Sequence, residues 1–287
     1  MNAQELLRQA KGFILDSDGT LQDKGKPITG AKECLRIIEK QGKRFVILTN
    51  ASMKTPQKVA DELWGMDLQV PPENIITSNM AAAEVVASLG QERRAYVLGC
   101  DAVRKALSER GVTIVEKNAW KDREWDPHQV PNVVVLGKLL MYGMEDIDPA
   151  VKAIRKYNAA FVATNDDRFT IGNSNEDFHT GAGFAVHGLT HATGRKPIIA
   201  GKPYTTATNM ALARLKLPPE HVIAVGDNLE TDMEMVALYR RQSGQRFLSC
   251  LVRSGMKKSE EEVDRYAHED HCTVQDVGEI ERILQRG

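Results

Sequence analysis

Short apolar runs of strand length alternate with longer, helix-length segments along nearly the whole chain, and this rhythm constrains the fold more than any other feature. Strands are predicted at 13–15, 44–48, 95–98, 133–136, 160–164, 221–225 and 247–252, with helix-length stretches at 31–41, 56–64, 79–89, 102–110, 149–157 and 205–215. In the first of those stretches Cys34, Leu35, Ile37 and Ile38 stand among charged residues, an apolar stripe at helical spacing. Strands that alternate with helices in this way build a parallel sheet covered by helices on both faces. The fold class is α/β. No internal repeat, low-complexity tract or long linker interrupts the pattern.

At 287 residues the chain has room for about two domains of ~150 residues each. It is 42% hydrophobic and 27% charged, enough to bury a core, which excludes general disorder. The 38 basic and 39 acidic residues leave a net charge of −1, with no electrostatic footprint for nucleic acid or an anionic membrane. No apolar run approaches the ~18 residues of a membrane span; the stretch 133–144 is broken by Lys138. The opening MNAQELLRQAKG lacks the basic start and apolar stretch of a secretory signal. Cys34, Cys100, Cys250 and Cys272 show no CxxC spacing and read as reduced thiols of a cytoplasmic protein.

Ligands of open parallel sheets bind beyond the carboxyl ends of the strands, near the point where strand order reverses. The residues just past the apolar runs are therefore the informative ones. They are Asp16-Ser17-Asp18-Gly19-Thr20, Thr49-Asn50-Ala51-Ser52 and Gly226-Asp227-Asn228-Leu229-Glu230-Thr231-Asp232, with a Gly201-Lys202-Pro203 turn opening a helix shortly before the last. So many carboxylates on one rim repel each other unless a divalent cation joins them, and hard oxygen ligands around phosphate suit Mg²⁺. Lys202 adds positive charge for a phosphate, and Thr49 with nearby backbone amides donates hydrogen bonds to its oxygens. With its charge neutralised, a phosphate can be attacked in line by a carboxylate, forming an aspartyl-phosphate. A second carboxyl then serves as acid for the leaving alkoxide and as base for the hydrolytic water. Gly19 lets the chain fold back so that both carboxyls reach one phosphate.

These segments, DSDGT at 16–20, TN at 49–50, GKP at 201–203 and GDNLETD at 226–232, resemble the four ordered motifs of haloacid dehalogenase (HAD)-type phosphatases. The long insertion between the second and third motifs is similar to that of the NagD, phosphoglycolate phosphatase and 4-nitrophenylphosphatase subfamily. Fragments of it at 163–165, 181–183 and 193–197 carry the resemblance further. The resemblance implies a Rossmann-like core with a parallel sheet, at 1–90 and 197–287, and an inserted α/β (C2-type) cap at 91–196 that covers the catalytic face. It implies Asp16 as nucleophile, Asp18 as general acid and base, Thr49 as phosphate-binding hydroxyl with Asn50 opening the next loop, and Lys202 as the lysine that steadies phosphate and nucleophile. Mg²⁺ would be held by Asp16, the backbone carbonyl of Asp18, Asp227 and Asp232, the last through a water. A homodimer through the cap is a further implication.

A bulky cap admits small phosphorylated metabolites more readily than folded proteins and excludes water on closing. Asn165, Asp166, Asp167, Glu176, Asp177 and His179 are the polar cap residues that could choose the substrate, with Asn165, Asp167 and His179 foremost. The chain departs from its relatives in this region, with Thr164-Asn165-Asp166-Asp167 in place of the frequent TNPD and Thr180-Gly181 in place of PG. Two rival functions share the motifs: a phosphoprotein phosphatase of the same chemistry, and a phospho-ligand sensor without turnover. Retention of Asp16, Asp18, Lys202 and Asp227 favours an enzyme. Elsewhere blander readings suffice. His268-Glu269-Asp270-His271-Cys272 is expected to be a surface loop, since it lacks the second ligand pair of a zinc site. Arg240, Arg241 and Arg246 are expected on a solvated helix end, and His187 and His191 on a helix face.

Overall fold

The computed structural model describes residues 2–90, 92–172, 177–255 and 259–286. The chain forms two compact units, one made of Met1–Thr49, Pro56–Ile76 and Lys202–Gly287, the other of Asn50–Thr55 and Thr77–Gly201.

The first unit is built on a six-stranded sheet. Its order is His271–Val274, Leu248–Val252, Val222–Gly226, Gly12–Leu15, Arg44–Thr49 and Ile75–Thr77. The pairings from His271–Val274 through Arg44–Thr49 are parallel. Gly12–Leu15 lies in the middle, with Leu15 paired to Ile47 on one side and Val225 on the other. All four of its residues are buried, as expected of a strand covered on both faces. From it the chain builds outward in one direction through Arg44–Thr49 and later in the other through Val222–Gly226. Strand order thus reverses beside Gly12–Leu15, and the residues just past its carboxyl end occupy the switch point of the sheet. Helices Ala31–Lys40 and Val277–Gln285 pack together and add Cys34, Leu35, Ile38, Ile280 and Leu284 to the core on one face.

The second unit has its own five-stranded parallel sheet, ordered Ile198–Ile199, Ala160–Ala163, Val133–Leu136, Arg94–Leu98 and Thr113–Ile114. Its core holds Trp125, which meets Tyr96 edge-on at 5.1 Å and donates its indole N–H to the carbonyl of Pro149 at 3.1 Å. A separate antiparallel hairpin pairs Phe169–Ile171 with Phe178–Thr180. Residues 197–201, expected with the core, fall in this unit because Ile198 and Ile199 extend its sheet against Val162 and Ala163. The helix Ser78–Ser88, also expected with the core, packs on Asp101–Glu109 of the second unit. The helix expected at 149–157 begins earlier, at Met144, where the Asp146 side chain accepts from the Gly143 N–H at 2.9 Å and caps the first turn.

Two expectations near the carboxyl end are corrected. Arg240 and Arg246 converge on Asp270, at 2.8 and 2.6 Å, and its carboxylate is 1% exposed. Burial alone would raise that carboxyl, but the two guanidiniums outweigh it and hold it below the ordinary carboxylate range. Arg240 and Arg246 therefore pin the start of the edge strand His271–Val274, while Arg241 stands exposed in the last turn of helix Glu234–Ser243, on a solvated helix end as expected. His268 and His271 belong to the same corner, both within hydrogen-bond reach of Ser249 Oγ at 3.1 and 2.8 Å. The segment expected as a surface loop is a packed strand entry, with Asp270 and Cys272 buried. His187 and His191 are exposed on helix Gly183–Thr193, as the spacing indicates.

Candidate active site

Four side chains, two just past strand ends and two on turns, form the site. Asp16 lies just past Gly12–Leu15 and extends the ladder by donating its N–H to Val225 O at 2.9 Å. Asp227 comes directly after Val222–Gly226. Asp232 returns on a single π-helical turn, Leu229–Met233, held by its N–H to Asn228 O at 2.8 Å. Lys202 stands at the entry of the turn that precedes helix Thr205–Leu215, before a cis peptide to Pro203. All four are buried.

The buried ammonium of Lys202 donates to Asp16 Oδ1 and to Asp232 Oδ1, each at 2.6 Å. The second oxygen of Asp232 accepts the Asn228 N–H at 3.0 Å. One carboxylate oxygen from each of Asp16, Asp227 and Asp232 lies within 4.8 Å of the others. Burial pushes the Asp16 carboxyl well above its ordinary range; Lys202 pulls it back, while Asp232, Asp227 and Asp18 push it further up. Burial alone would lower the Lys202 ammonium, but Asp16 and Asp232 outweigh it and raise it above its usual value. Three buried carboxylates outnumber the ammonium that bridges two of them, and three hard oxygen donors at this spacing fit a divalent cation such as Mg²⁺.

Small residues make the pocket for these carboxylates. Gly19, at φ 80°, allows the tight return of the chain after Asp18; a Cβ there would lie 2.5 Å from Asp227 Cγ. A Cβ on Gly226 would lie 2.2 Å from Asp232 Cγ, and one on Gly255 only 1.8 Å from Asp227 Oδ2. Ser254 Oγ donates to Gly19 O at 2.8 Å and ties this segment to the first loop. Ser254 and Gly255 are absent from the residues expected from sequence, although they lie just past 247–252, a strand the apolar pattern does mark. Their position at a strand end is the signal that could have found them.

Of the residues expected at the site, Asp16, Lys202, Asp227 and Asp232 are brought together, and Thr49 is buried at the end of the strand beside Asp16. The side chain of Asp18 is exposed and lies outside the carboxylate group, its Oδ1 accepting from the Gln22 amide. Asn50, Asn165 and Asp167 form a network of their own in the second unit. His179 is exposed on the hairpin strand Phe178–Thr180, 3.1 Å from Asp177 Oδ1. Asp166 is half-buried, and Glu176 lies outside the described residues.

A family model described as haloacid dehalogenase-like hydrolase matches residues 75–238, and another of the same description matches 13–113. The chain is 30% identical over 268 residues to a dihydroxyacetone phosphatase of Corynebacterium glutamicum, covering 93% of this chain and 90% of that protein. It is 29% identical over 266 residues to a 5'-nucleotidase of Bacillus subtilis, covering 93% and 96%. The crystal structure of a 4-nitrophenylphosphatase from Thermotoga maritima superposes with a TM-score of 0.82 at 28% identity, over 98% of this chain and 99% of that one.

Proposed function

The chain belongs to the haloacid dehalogenase-like hydrolases and is a phosphatase, and from that premise we propose that it hydrolyses a small phosphorylated metabolite in the cytoplasm through an aspartyl-phosphate on Asp16, with Mg²⁺ as cofactor. Sugar phosphates, phosphoglycolate and nucleoside monophosphates are the substrate classes of this reading. The observation that carries it is the Lys202 ammonium held at 2.6 Å from both Asp16 and Asp232, inside a group of three buried carboxylates.

Asp16 is held by Lys202 through Oδ1 and attacks phosphorus with a carboxylate oxygen as the bond to the leaving alcohol breaks. Asp18 gives the departing alkoxide oxygen its proton, then takes one from the water that attacks the phosphoryl group and frees Asp16. Thr49 and Lys202 donate to the phosphoryl oxygens as their charge develops. Asp16, Asp227 and Asp232, with the Asp18 carbonyl, would hold Mg²⁺, whose charge lowers the repulsion between Asp16 and a phosphate dianion.

Phosphate release across a panel of phosphorylated metabolites, in Mg²⁺ and then in EDTA, tests the proposal. Release that requires the metal and returns when Mg²⁺ is restored is the expected result. No release from any ester, aryl phosphates included, would turn the reading toward a binding protein. A finer test concerns Asp18. Asp18→Asn is expected to slow turnover by roughly 10²–10⁴-fold, with the larger loss for an alkyl phosphate, whose poor leaving group needs the proton most. Equal losses for alkyl and activated aryl phosphates would remove Asp18 from the acid role.

A further inference from the structure

The sequence places Asp167 among the residues that touch substrate. Its contacts suit a different task. Asp167 Oδ1 accepts from the Asn50 side-chain amide at 3.0 Å and Oδ2 accepts from the Asn165 amide at 2.6 Å. The Asn165 amide also donates to the backbone carbonyl of Asn50 at 3.2 Å, and Ser78 Oγ donates to the same carbonyl at 3.0 Å. Asn50 is thus gripped by both side chain and main chain. It is bonded directly to Thr49.

The turn that does the gripping is itself fixed. Gly183 N–H donates to Asp167 O at 3.0 Å. A Cβ on Gly181 would lie 1.9 Å from that same oxygen, and one on Gly183 would lie 2.4 Å from Asp166 O. Only glycines let the chain seat Asp166 and Asp167 this closely. On the other side Thr164 O accepts the Gly201 N–H at 2.8 Å, and a Cβ on Gly201 would lie 2.6 Å from Asn50 Oδ1. Gly201 is bonded directly to Lys202. The segment Thr164–Asp167 therefore holds the covalent neighbours of both Thr49 and Lys202.

We infer that Asp167 is a positioning residue: by clamping Asn50 it orients Thr49 and the amides after it, and so sets the enzyme's affinity for the phosphoryl group rather than for the organic part of the substrate. Charge-assisted hydrogen bonds to a half-buried carboxylate are strong enough for the task, and removing the carboxylate leaves two amides competing for other partners. The inference rests on the phosphatase reading, because Thr49 and Lys202 meet the phosphoryl group only if that reading holds.

The test uses inorganic phosphate as a competitive inhibitor, together with KM and kcat for one aryl and one alkyl phosphate. Asp167→Ala is expected to raise the inhibition constant of inorganic phosphate by about tenfold and to raise KM for both esters by the same factor. Asp167→Asn keeps the shape and one acceptor, so its shift is expected in the same direction and smaller; it carries the test alone if the alanine variant fails to fold. Asn50→Ala is expected to shift the same constants in the same direction, with the double variant no worse than Asp167→Ala, since both remove the Asn50–Asp167 hydrogen bond. An unchanged inhibition constant, or a KM change for one ester only, would overturn the inference, the latter by showing direct contact with the organic group. A wild-type enzyme that releases phosphate from neither ester would overturn the phosphatase reading itself, which keeps the two failures apart.

Discussion

Asp16→Asn is expected to reduce phosphate release by roughly 10⁴-fold or more while the protein stays folded. The amide has the shape of the carboxylate, so the buried position beyond Gly12–Leu15 remains filled. Lys202 keeps its second partner, Asp232 Oδ1 at 2.6 Å, and is not left alone in the interior. What disappears is the nucleophile, since an amide oxygen does not form the acyl-phosphate, along with one negative charge of the group that would hold Mg²⁺. Stability should hold or rise, because the substitution removes a charge that burial, and then repulsion from Asp232, Asp227 and Asp18, disfavour in this position. Phosphate release and thermal melting, measured on the same preparation, check both halves. Turnover within tenfold of wild type would remove Asp16 from the chemistry.

Lys202→Met should be as damaging to turnover and far more damaging to the fold. The methionine fills the space but leaves Asp16, Asp227 and Asp232 buried without the ammonium that bridges two of them. Breaking a buried ion pair from one side costs about 3–5 kcal/mol, since the remaining charges are uncompensated. Asp16, which burial already pushes up and Lys202 pulls back, then takes up a proton more readily, and a protonated Asp16 is no nucleophile. Urea denaturation without metal should therefore show a large fall in midpoint, partly restored by Mg²⁺ if the cation supplies the missing charge. Lys202→Arg would not rescue activity, because a planar guanidinium cannot replace a compact ammonium between two carboxylates. Unchanged stability in Lys202→Met would mean that the lysine does not balance this group.

Strand-length apolar runs placed the sheet correctly because a strand buried on both faces must be apolar throughout, as Gly12–Leu15, Val133–Leu136 and Val222–Gly226 are. The elements that escaped notice are short or half-exposed. Ile198–Ile199 and Thr113–Ile114 are two residues long, and His271–Val274 alternates buried and half-buried positions on a sheet edge. The grouping of Asp16, Asp227 and Lys202 was legible because polar groups cluster where parallel strands terminate. Asp270 was not, since nothing local marks one acidic residue as the anchor of two arginines 24 and 30 positions away. Glycine roles were half legible. Gly19 announced itself beside Asp18, whereas Gly255 matters only because Asp227 lies against it in space.

The most direct test of the account is to mix the enzyme with a phosphate ester and Mg²⁺, quench within a turnover in acid, and map the covalent phosphate by peptide mass spectrometry. Phosphate is expected on the peptide containing Asp16, on the Asp16 carboxyl, and is expected to be absent from Asp16→Asn. Phosphate on another residue, or phosphate release with no phosphorylated enzyme trapped at any time during turnover, would contradict it.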